Sequence, residues 1–86
     1  MLLNNYYTKS KNRTLQKKMT KKDIDDFLES AKKGHPQAQF LLGDLYFHGD
    51  EIDQNYSEAF YWYTKSAEQN FSYAQNNLGA MYEYGY

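Results

Sequence analysis

Eighty-six residues and 10.2 kDa bound this chain to one small domain, or to a piece of a larger one. The formal net charge is −1 and the mean hydropathy −0.98. The longest apolar or aromatic run, Ala59 to Tyr63, is far short of the roughly 18 residues a membrane span requires. There is no cysteine, which excludes a disulfide scaffold and a thiolate zinc site, and Met1-Leu2-Leu3 is too short for a signal peptide. A cytoplasmic location is the default expectation.

The small net charge hides an asymmetry. Residues 1–22 carry seven bases and no acid: Lys9, Lys11, Arg13, Lys17, Lys18, Lys21 and Lys22. Residues 23–86 hold three bases and all eleven acids, a net of −8. Aromatics make up 19% of the chain, ten of them tyrosines, which marks a folding body, because aromatic side chains build cores and contact surfaces. A basic arm over 1–20, disordered or loosely helical, is therefore expected to precede a folded domain over 21–86.

In chain order, the first expected helix spans about 21–33. Thr20 and Asp23 can cap it, Ile24, Phe27, Leu28 and Ala31 form its apolar stripe, and Gly34 stops it. Its acids Asp23, Asp25 and Asp26 fall in the first turns, where they complement the helix dipole. The second helix is expected over 36–48. Pro36 suits its first turn, and Ala38, Leu41, Leu42, Leu45 and Tyr46 recur at three-four spacing. The third, over 56–69, opens at Asn55 with Glu58, carries Ala59, Phe60, Tyr63 and Ala67, and closes at Asn70, which tolerates a left-handed backbone. The fourth, over 72–84, has a capping box in Ser72 and Gln75 and a face of Ala74, Leu78, Met81 and Tyr82.

These four segments are two copies of one pattern. Residues 21–50 laid on 57–86, an offset of 36, share eight identities: Ser30/Ser66, Ala31/Ala67, Ala38/Ala74, Gln39/Gln75, Leu42/Leu78, Gly43/Gly79, Tyr46/Tyr82 and Gly49/Gly85. Chance supplies roughly two. The shared residues are small, apolar or glycine, as stacked helices need, so this is a repeat protein with helices in the order B, A, B, A. Glycine inside a helix costs roughly 1 kcal/mol against alanine, so Gly43 and Gly79 are both expected at close helix contacts. A complete A helix is not expected before Thr20, and the chain stops where a third B helix would begin. Stacks of this kind usually need about three repeats, so the isolated chain is expected to self-associate or be covered at its last helix.

The segment from Ala38 to Gly85 resembles the Sel1-like repeat family, relatives of the tetratricopeptide repeats. AQFLLGDLYFHGDEIDQNYSEAFYWYTKSAEQN followed by AQNNLGAMYEYG carries the resemblance. The family pattern falls on Ala38, Leu42-Gly43, Tyr46, Gly49, Asn55-Tyr56, Ala59, Trp62-Tyr63 and Ala67, with Ala74, Leu78, Gly79, Tyr82 and Gly85 repeating the scaffold. Glu51 and Asn70 depart from it where glycine is common. The resemblance implies an all-α, right-handed solenoid of antiparallel helix pairs. It also implies a non-catalytic adaptor, often in bacterial signalling or host-interaction systems, with no cofactor. It places the concave groove on the A helices, at Gln37, Phe40, Asp44 and Phe47 and their counterparts Tyr73, Asn76, Ala80 and Glu83.

Other chemistry is sparse. His35 and His48 stand at opposite ends of one helix and cannot share a metal. Asp50, Glu51 and Asp53 lack the alternating ligands of a calcium loop. Tyr46, Phe60, Tyr63 and Tyr82 are expected on core faces. Three functions therefore stand: a protein-binding adaptor, an incomplete piece of a longer repeat protein without autonomous function, or a binder of nucleic acid or an anionic surface through residues 9–22. The first is the reading adopted, and an enzyme is not expected.

Overall fold

Local chemistry sets where each helix begins and ends. The computed structural model describes residues 19–86, so all but the last two residues of the basic arm expected over 1–20 lie outside the described residues. Among the described residues the helices are α1 (Lys21–Lys32), α2 (Pro36–His48), α3 (Tyr56–Ala67) and α4 (Ser72–Tyr84). At the start of α1, Thr20 Oγ1 accepts from the Asp23 amide at 3.2 Å while the Asp23 carboxylate accepts from the Thr20 amide at 3.0 Å. Asn55 Oδ1 accepts from the Glu58 amide at 3.1 Å and opens α3. Pro36 begins α2 where its missing N–H costs nothing.

The cap of α4 differs from the expectation. Phe71, not Ser72, is the N-cap, and no side chain caps the helix. The Phe71 ring packs against Phe40 at 5.4 Å, and Gln75 instead donates its amide to the Ala67 carbonyl at 3.2 Å. Core packing and closure of the preceding helix outcompete the local box.

The repeat extends to the backbone. Gly34 and Asn70, 36 residues apart, end the B helices at φ +100° and +66°, and Gly49 and Gly85 end the A helices at +71° and +76°. Gln39 donates to the Ala31 carbonyl at 3.1 Å as Gln75 does to Ala67. One sequence pattern has folded twice into one geometry.

Each helix packs on the next, α1 on α2, α2 on α3 and α3 on α4. Two apolar clusters result. Ala31, Ala38, Leu42 and Trp62 join α1, α2 and α3, and Phe40, Ala59, Tyr63, Ala74 and Met81 join α2, α3 and α4. Tyr46 packs against both. Phe60 and Tyr82 depart from their expected core places. Their rings meet each other edge to face at 5.6 Å on the surface, and Tyr82 is 70% exposed. Among the described residues no helix covers that face of α4, so the periodicity that half-buries Tyr46 leaves its counterpart in solvent.

Gly43 sits where a neighbour needs its missing side chain. A Cβ at this position would lie 2.6 Å from the Tyr63 ring, closer than any real contact allows. Gly79, its repeat equivalent, differs from expectation: nothing lies within 4 Å of a Cβ there. The two glycines should therefore respond oppositely. Gly43→Leu should destabilise the fold by about 1–3 kcal/mol through overpacking. Gly79→Ala should stabilise the single chain, at a dilution where it is monomeric, by up to about 1 kcal/mol, the helix-propensity difference. Thermal melts of the two variants beside the parent check both signs.

Candidate interaction face

The groove stripe expected on the A helices divides in the folded chain. Phe40 and Asp44 are buried, and Phe47 is half-buried. Gln37, Tyr73, Asn76 and Glu83 are exposed, and Ala80 is half-buried. The division has a physical cause: α2 is flanked by α1, α3 and α4, so a stripe that would face outward on a terminal helix is enclosed here. Phe40 contacts Tyr63 at 5.9 Å, Phe71 at 5.4 Å and Tyr73 at 6.0 Å between ring centroids. Phe40 is thus the buried floor beneath Tyr73, whose own ring remains 60% exposed.

Asp44 is the buried carboxylate of this region. Its Oδ1 accepts from the Tyr63 hydroxyl and from Asn77 Nδ2 at 3.3 Å, so it ties α2 to both α3 and α4. Burial pushes its carboxyl above the usual range, while the Tyr63 hydroxyl, the charge of His48 and the Asn77 amide pull the other way. Desolvation is the larger effect, as expected for a charge taken from water. Sequence spacing marked Asp44 as a groove residue because it cannot register that a tyrosine from another helix arrives there.

Phe47 closes one end of the face. Its ring meets Tyr56 at 5.2 Å and Tyr86 at 5.1 Å, and those two tyrosines meet at 4.7 Å. Gln54 Nε2 donates to the Phe47 carbonyl at 2.8 Å, pinning the loop against Gly49, where a Cβ would lie 2.6 Å from Gln54. Tyr56 and Tyr86 are aromatics that helical periodicity could not assign to this cluster, since one opens a helix and the other follows one.

Elsewhere the chemistry is thin. A shallow depression of about 440 Å³ between the C-terminal halves of α1 and α3 is lined by Lys32, Tyr61, Trp62, Lys65 and Glu68 among others. Trp62 Nε1 is buried without an acceptor, but its atom is closed off from solvent and so does not open into that space. Ser30 and Lys33 have the serine-x-x-lysine spacing that some acyl-transfer enzymes use, yet the Lys33 ammonium is paired with Glu29 at 3.5 Å on the surface. Among the described residues no three His, Asp or Glu side chains converge as a metal site would need, and no helix is long and apolar enough to cross a membrane. The basic residues proposed to meet nucleic acid or an anionic surface lie, except for Lys21 and Lys22, outside the described residues.

The raised pKa of Asp44 fixes a pH dependence. A carboxyl that holds its proton more tightly in the folded chain favours folding in acid. That contribution is lost as pH rises from the ordinary aspartate value of 3.8 through the raised native value. Asp44→Asn removes the titrating group and keeps an acceptor oxygen for Tyr63. Its melting temperature relative to the parent should therefore become more favourable between about pH 4 and pH 7. A constant difference across that range would contradict the assignment.

Comparison with known proteins agrees with the repeat geometry. The family model described as Sel1 repeat matches residues 36–71 and again 72–86, and the boundary falls between α3 and α4. A sel1-like repeat-containing protein of Acanthamoeba polyphaga mimivirus is 45% identical over 44 residues, covering 51% of this chain and 8% of the relative. The chitin synthase regulator SKT5 of Saccharomyces cerevisiae is 43% identical over 51 residues, covering 59% of this chain and 7% of the relative. The chain thus spans less than a tenth of either relative's length, and these relatives come from a virus and a yeast, not from bacteria. No solved structure matches the chain significantly.

Proposed function

From the premise that this chain belongs to the Sel1 repeat family, we propose that it is a non-catalytic protein-interaction module. We place its contact face on the exposed part of the A-helix layer, at Gln37, Tyr73 and Asn76. The observation that carries this reading is the Tyr73 ring. It stands 60% exposed on the buried Phe40, with exposed Asn76 about one turn along α4 and exposed Gln37 about one turn before Phe40 on α2. A rigid aromatic over a fixed floor loses little entropy on binding, and amides beside it can pair with the backbone of an extended segment. Sel1 repeats generally mediate protein interactions, and the yeast relative is named as a regulator, so a partner protein is the class of ligand supported. Fold alone does not name that partner.

Selection of peptides from a random display library on the immobilised chain tests the face. Gln37→Ala, Tyr73→Ala and Asn76→Ala combined should weaken the selected peptides at least about tenfold. The helical signal and melting temperature should stay near those of the parent, because all three side chains are exposed. Undiminished binding by a folded triple variant would remove the assignment and move it to another surface.

A further inference from the structure

The contact between α2 and α3 is made by a small set of groups whose 36-residue counterparts are not paired with one another among the described residues. At that contact Tyr63 lies on Gly43 and donates to Asp44, Ser66 Oγ donates to the Pro36 carbonyl at 2.8 Å, and Gln69 donates to the Gly34 carbonyl at 2.7 Å and to Gln39 at 3.0 Å. Shifted by one repeat, the A-helix half of the contact falls on α4, with an open notch at Gly79 and half-buried Ala80 in place of Asp44. The B-helix half falls on α1, with half-buried Phe27 in place of Tyr63 and Ser30 in place of Ser66. We propose that α4 of one molecule stacks on α1 of a second copy, continuing the helix array head to tail.

The substitutions between the two halves compensate one another. Tyr63 brings a hydroxyl that needs an acceptor, and Asp44 supplies it. Phe27 brings none, and Ala80 offers none, so an apolar pair replaces a polar pair without leaving a buried group unsatisfied. Ser30 keeps the hydroxyl that would reach the Ser72 carbonyl, the counterpart of Pro36. Lys33, at the position of Gln69, can donate to the Asn70 carbonyl and to Gln75 Oε1. Its pairing with Glu29 is exposed, the kind that contributes little and is readily given up.

Charge does little at this contact: residues 21–33 carry four bases and four acids, and Glu83 is the one charge on α4. Glu83 holds the place of Phe47, which in the internal contact touches Tyr56, the counterpart of Thr20. The stacked pair therefore sets Glu83 near the first turn of α1, where the helix dipole favours a carboxylate and Asp23 opposes it. The aromatic packing of Phe40 and Phe47 has no counterpart in Asn76 and Glu83, which makes the junction between copies weaker than the internal one.

A head-to-tail contact joins two different surfaces and does not close on itself. Sedimentation of the 86-residue chain over about two decades of concentration should give an average mass that climbs without a plateau at the dimer. Added salt should change it little, because the paired surfaces carry little net charge. Gly79→Leu fills the notch on one end, and Phe27→Ala empties the knob on the other. Each variant should sediment as a monomer with retained helical signal. Their mixture should form dimers and nothing larger, because it offers one intact pair of ends. Should Phe27→Ala fail to fold, Ala80→Arg on the notch side replaces the mixture as the second test and should likewise give a monomer. A parent that stays monomeric throughout overturns the proposal, as would happen if residues 1–18 or another protein cover these ends. A closed dimer, or association that persists in folded Gly79→Leu, overturns it as well.

Discussion

Tyr63 lying across Gly43 is the contact on which the described structure depends. A glycine inside a helix gives up roughly 1 kcal/mol of helix propensity. A tyrosine removed from water contributes on the order of 4 kcal/mol gross, from about 150 Å² or more at about 25 cal/mol per Å². The second term wins, so the notch is kept. Once the ring occupies it, the hydroxyl reaches Asp44, Asp44 takes Asn77 from α4, and Phe40 leans on the ring from α2. One side chain thereby joins three helices. The apolar residues around it, Ala59, Ala74 and Met81, are small or pliable enough to close over what remains.

Much of this was legible in the sequence because the repeat is written in residue types that have few alternatives. The four helices fall within two residues of their expected bounds, with α2 and α4 matching at both ends. Capping at Thr20 and Asn55, the stop at Gly34 and the left-handed Asn70 follow from the backbone chemistry of those residues. Gly43 announced its close contact through the cost of being there. The failures share one cause. Periodicity reports which face of a helix is apolar, not how many neighbours that helix has. Phe40 and Asp44 read as a groove because their stripe is separate from Ala38 and Leu42, yet α2 is enclosed on both sides. Tyr82 and Gly79 copy Tyr46 and Gly43 in sequence but stand on the exposed face of α4. Ser72 and Gln75 satisfy a capping pattern that the packing of Phe71 overrides.

The same division separates residues that keep the repeat from residues that vary within it. Residues that repeat exactly, such as Ala38/Ala74 and Gln39/Gln75, set backbone approach and hydrogen bonds between helices, and Ser66 of the Ser30/Ser66 pair adds its bond to the Pro36 carbonyl. Residues that differ between repeats, Phe40/Asn76, Asp44/Ala80 and Phe47/Glu83, decide what each A helix shows to a neighbour. The scaffold can therefore stay fixed while the face that each A helix presents changes.

The interdependence of Gly43 and Tyr63 is tested most directly by a double-mutant cycle in stability, with Gly43→Ala and Tyr63→Leu made singly and together. In the parent background Gly43→Ala should lower the unfolding free energy, since its methyl meets the ring. In the Tyr63→Leu background it should be neutral or stabilising, because the ring is gone and alanine favours the helix. The same loss in both backgrounds would mean that Gly43 answers to something other than Tyr63, and that the notch does not organise the fold.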